Sequence, residues 1–64
     1  MVAGHEPPDW LVASSHEALS RAYALAGDKT EARRQHDLAH TALQRVEDAE
    51  EREVVESDLA GIPL

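Results

Sequence analysis

Residues 16–49, HEALSRAYALAGDKTEARRQHDLAHTALQRVEDA, decide the fold of this chain. At the centre of the stretch, Gly27-Asp28 separates two segments whose apolar residues recur at three- and four-residue spacing. Glycine takes the left-handed conformation that ends a helix, and Asp28 with Glu31 three places on forms the capping-box pattern that opens another. A two-residue hinge turns the two helices back on each other as an antiparallel hairpin.

Working outward, Pro7-Pro8 stiffens the approach, and Asp9 is the expected N-cap of a helix over about Trp10 to Ala26. Leu11, Ser15, Ala18, Ala22 and Leu25 form one stripe of that helix, flanked by Val12, Leu19, Tyr23 and Ala26. Glu17, Ser20, Arg21 and Ala24 fall on the opposite side, so the stripe is expected to be the apolar face. In the second helix the apolar face is Ala32, Ala39, Leu43 and Val46, beside Leu38 and Ala42. Small residues on both faces let the two backbones approach closely. Asp48 and Glu51 repeat the capping-box pattern and open a third helix through about Ala60, closed by Gly61 and Pro63. Val55, Leu59 and Ile62 make its narrow stripe, bordered by Glu51 and Asp58, with Val54 to one side. Val54-Val55 is the only adjacent β-branched pair, phenylalanine is absent, and strand signals are missing. The expected fold class is therefore all-α. Residues 1–8 form an N-terminal extension, and residues 9–64 form a single three-helix unit.

Composition limits what such a unit does. The chain has 64 residues, no cysteine to cross-link it, and a hydrophobic fraction of 42% that includes eleven alanines. Thirteen larger hydrophobic residues lie inside its ends, which is few for a core that must hold without help. A disulfide scaffold, a membrane span and a large enclosed active site are excluded on these grounds. Met1 to Pro8 carries no apolar run and contains acidic Glu6, so no signal peptide is read there and a cytoplasmic setting is expected. Five arginines against one lysine, with abundant alanine, match the habit of a GC-rich bacterial genome.

The net charge of −7 is unevenly spread. Residues 1–28 stand at −3, residues 29–46 at +2 (Lys29, Arg33, Arg34 and Arg45 against Glu31 and Asp37), and residues 47–64 at −6. Nucleic-acid binding needs a basic stripe, and here acids surround every basic cluster. The acidic end reads as a solvated helix face, with the basic middle segment as its potential partner within the chain or across a dimer.

The quoted stretch resembles a tetratricopeptide repeat, a 34-residue helix-turn-helix unit. Leu19 followed by Ser20 meets the family's large-then-small pair, Tyr23 its aromatic, Gly27-Asp28 its turn, and Ala32 and Ala39 its two alanines seven apart. Three positions depart from the pattern. His16 and His36 stand where large aromatics are usual, and Gln44 stands where a proline usually ends the unit, so the second helix is expected to run on. The resemblance implies a TPR-like hairpin with a C-terminal capping helix, similar to the end of a longer bacterial protein of this class. It also implies a protein-binding role. One repeat leaves its faces uncovered, and about three are generally needed for stability.

No residue pattern points to catalysis: there is no phosphate-binding glycine loop, and Ser14, Ser15, Ser20 and His16 on one helix do not surround a shared substrate pocket. Paired acids such as Glu50-Glu51 lie on a solvated helix. His36 and His40, four apart, are the candidate metal ligands, with His16 reaching from the neighbouring helix and no carboxylate completing the set. The same histidines are candidates for a pH-responsive interface. Arg33 and Arg34 are candidates to clamp an acidic peptide terminus, or to pair with Glu56 and Asp58. No cofactor is implied. The expected function is protein–protein interaction, by self-association as a homodimer or by docking a partner helix or peptide. The expected interface is Trp10, Leu11, Ser15, Ala18, Ala22 and Leu25. A histidine-dependent metal-binding or pH-responsive regulator is the alternative.

Overall fold

The structure, a computed structural model, describes residues 7–64. Residues 1–6 of the expected extension lie outside the described residues. Three helices follow in order: α1 Asp9–Ala26, α2 Lys29–Leu43 and α3 Ala49–Ala60. No strand occurs among the described residues, and the protein is all-helical. Helices α1 and α2 pack along their length as a hairpin, and the shorter α3 touches both.

Local chemistry sets the boundaries. Pro8, in extended conformation at φ −60° and ψ 152°, is the N-cap of α1, and its carbonyl accepts from the N–H groups of Leu11 and Val12. Asp9 is thus not the cap but the first helical residue, with no side-chain capping bond. Its carboxylate still suits the positive end of the helix dipole. At the other end Gly27 adopts φ 87°, the one positive φ among the described residues. The Gly27 N–H donates to Ala24 and the Asp28 N–H to Tyr23, which together close a Schellman motif.

That motif decides the next cap. Asp28 accepts the Glu31 N–H at 3.1 Å, as the capping box requires. The reciprocal bond does not form, because the Asp28 N–H is already committed to Tyr23. Glu31 instead accepts from Gln35 at 3.5 Å. Asp48 caps α3 more fully, accepting the N–H groups of Glu50 at 2.9 Å and Glu51 at 3.1 Å. Gly61 ends α3 at φ −83°, so no left-handed glycine is used there.

Helix α2 does not run on past Gln44. After Leu43 the bonds tighten to Arg45 N–H with Ala42 and Val46 N–H with Leu43. Val46 then turns inward and is buried in the connection, not on the helix, while Arg52 donates to its carbonyl at 3.3 Å. The core gathers Ala39, Ala42 and Leu43 of α2, Val46, and Val55, Leu59 and Ile62 at and beyond α3, with Ala13 contributed by α1.

The packed face of α1 is the main departure from expectation. Ala13, Glu17 and Ser20 are its buried residues, and the stripe Leu11, Ser15, Ala18, Ala22 and Leu25 points outward. The physical reason lies in α2, where Ala32 and Ala39 are fully buried and bring the backbones close. Close approach admits only small side chains or polar groups with a partner in place. Ser20 donates its hydroxyl to the Ala32 carbonyl at 2.7 Å, and the Glu17 carboxylate pairs with Arg21 one turn on. No buried side-chain nitrogen or oxygen lacks a hydrogen-bond partner among the described residues.

Candidate interaction surface

The expected interface residues share one fate: Trp10, Leu11, Ser15, Ala18, Ala22 and Leu25 are all exposed. Leu25 is the most open at 77%, and Trp10 and Leu11 stand near 40%. Five of them occupy one stripe at spacing four, three, four and three, which holds a line along a helix of 3.6 residues per turn. From Leu11 to Leu25, 14 steps along the helix, the stripe is about 21 Å long at 1.5 Å per residue. Two leucines mark its ends and small residues fill its middle. Leu19 and Leu38 add further half-exposed apolar surface.

Trp10 belongs to a different feature as well. With Ser14 of α1 it forms one wall of an open cleft of about 220 Å³, whose other wall is Glu51, Val54, Val55 and Asp58 of α3. Trp10 therefore lies across this cleft from α3. This cleft was not legible from spacing alone. Its only signal was Val54, an apolar residue off the Val55-Leu59-Ile62 stripe and 61% exposed in the fold.

No family model, curated protein or solved structure matches the chain. The surface has to be interpreted from its own geometry.

The histidines divide between two structural tasks. His16 and Gln35 share a 2.6 Å hydrogen bond that ties α1 to α2. With its proton on Nε2, His36 donates at 3.3 Å to the Leu59 carbonyl, which also accepts the Ile62 N–H at 3.1 Å, and so ties α2 to the last turn of α3. His36 and His40 do come together, with ring centroids 4.8 Å apart and planes tilted by 53°. No group of three or more potential metal ligands forms among the described residues. His16, bonded to Gln35, does not complete the pair.

Arg33 and Arg34 are exposed on α2, and neither forms an ion pair among the described residues. Glu56, one of their expected partners, lies 3.8 Å from Arg52 on its own helix. Among the described residues no helix is long and apolar enough to cross a membrane.

Proposed function

We propose that this chain is a self-associating protein–protein interaction module that pairs through the outward stripe of α1. One observation carries the reading: α1 spends its small and polar side on α2 and leaves Leu11, Ser15, Ala18, Ala22 and Leu25 uncovered. The order of residues along the stripe favours a second copy as the occupant. Across a two-fold axis near Ala18, an antiparallel copy of the helix sets Leu11 against Leu25 at both ends, with Ser15, Ala18 and Ala22 meeting in the middle. Small residues at the centre allow close approach, and leucines at the ends close the seam.

The exposed parts of Trp10, Leu11 and Leu25 amount to about one and a half side chains, a gross gain of roughly 2–5 kcal/mol per copy. Counted for both copies and set against an association cost of about 4 kcal/mol or more, this leaves at most about 6 kcal/mol, so the dimer is no tighter than tens of micromolar. The tetratricopeptide-like reading belongs to the same proposal. It draws support from Ser20, Ala32 and Ala39, the small positions of that pattern, which are fully buried at the α1–α2 contact. A cytoplasmic setting is part of the proposal too. The histidine-dependent alternative is weaker, because His36 already serves α3.

Sedimentation from about 10 μM to about 1 mM tests the proposal. The natural chain is expected to approach twice the monomer mass as concentration rises. Leu25→Glu is expected to remain monomeric with unchanged helicity, since its side chain is open in the folded chain. A monomer throughout this range, or a Leu25→Glu variant that pairs as well as the natural chain, refutes it.

A further inference from the structure

The cleft between α1 and α3 is a second surface that shares only Trp10 with the proposed α1 seam, and its chemistry differs from the stripe's. Its lining is apolar where the two helices face each other, with Trp10 on one wall and Val54 and Val55 on the other. Its rim carries two carboxylates, Glu51 and Asp58, both exposed and neither in an ion pair among the described residues. Seven residues apart on α3, they stand about 10 Å from each other along the helix axis, at 1.5 Å per residue. Val54 and Val55 lie between them. A volume of about 220 Å³ falls below the usual range of sites for whole small molecules, about 300–1,000 Å³, and is of the order of one long side chain.

We propose that this cleft receives an arginine or lysine side chain from an apolar and basic segment of a partner protein. The aliphatic stem lies along Val54 and Val55, the cation meets the indole face of Trp10, and its charge is matched by Glu51 or Asp58. Charge complementarity selects this occupant. Residues 47–64 carry seven acids and one arginine, so an acidic segment is repelled, and a neutral apolar segment leaves both carboxylates unmatched. The proposal does not depend on dimerisation through α1.

Trp10 is the only tryptophan, so its fluorescence reports on the cleft directly. The probe is a short capped peptide, acetyl-Gly-Arg-Leu-Arg-Gly-amide, compared with the same peptide carrying citrulline in place of arginine. The arginine peptide is expected to shift Trp10 emission saturably. The citrulline peptide should bind about fivefold or more weakly, as should the arginine peptide on a Glu51→Gln/Asp58→Asn variant. A Glu50→Gln/Glu53→Gln variant removes the same charge from outside the cleft and should bind nearly as the natural chain does. Equal binding of the two peptides reduces the cleft to an apolar groove and overturns the proposal. Equal loss in the two double variants reduces the effect to net charge and overturns it as well, as does absence of any saturable shift. A concentration-dependent shift without peptide that vanishes in Arg33→Ala/Arg34→Ala assigns the cleft to a second copy of this chain, and equally overturns it.

Discussion

Exchanging serine for valine at two positions of α1 tests which side of the helix faces the protein. Ser20 is fully buried and donates to the Ala32 carbonyl at 2.7 Å, while Ser15 is exposed. Ser20→Val removes that hydrogen bond, worth about 0.5–1.5 kcal/mol net. It also forces added carbon into a contact where Ser20 and Ala32 are both fully buried, at about 1–3 kcal/mol. The total is roughly 2–4 kcal/mol. At about 0.05–0.15 kcal/mol per residue, a chain this short has roughly 3–10 kcal/mol of stability, so the substitution removes a large part of it. Ser20→Ala loses the bond without the bulk, and the Ala32 carbonyl keeps its place in the α2 ladder. Its cost is about 1 kcal/mol or less. Ser15→Val adds the same atoms to an open surface, for about 0.5 kcal/mol or less. Thermal melts by circular dichroism at one fixed low concentration read the series. Ser20→Val is expected to lower Tm by about 10 °C or more, and Ser15→Val by only a few degrees. Similar losses at the two positions, or the larger loss at Ser15, refute the orientation of α1.

Two further substitutions probe the hairpin. Gly27→Ala meets no atom within 4 Å of the new Cβ, so its cost is the left-handed φ alone. About 1–2 kcal/mol is expected, a fall in Tm of roughly 4 °C or more, and a neutral result removes the Schellman closure as the reason for the turn. Arg21→Ala strips the counter-charge from Glu17, whose side chain is only 5% exposed, and is expected to cost about 1–2 kcal/mol in urea unfolding. Adding Glu17→Gln to it should recover part of that loss, and a double variant no better than the single one refutes the pairing argument.

The helix ends were legible because each depends on a short, local chemical signal. Gly27, Asp28 and Asp48 do what their residue types allow whatever surrounds them. Asp9 failed as a cap because Pro8, with its φ fixed and its carbonyl free, already occupied that role. The face of α1 was misread because hydrophobicity ranks side chains by what they gain from burial. The contact with Ala32 and Ala39 selects instead by size, and it accepts Ser20 and Glu17 once each has a partner. Val46 was placed on α2 by its spacing, although the chain turns before reaching it. The cleft at Trp10 depends on how α3 lies against α1, which no periodicity within either helix encodes.

The division of labour along α1 leaves two sets of positions under separate constraint. Ala13, Glu17 and Ser20 are held by the fold, whereas Leu11, Ser15, Ala18, Ala22 and Leu25 touch little of it. The outward stripe is therefore free to drift toward a new seam without unfolding the chain that bears it. A single helix in this way lets partner choice change at the surface while the architecture beneath it stays fixed.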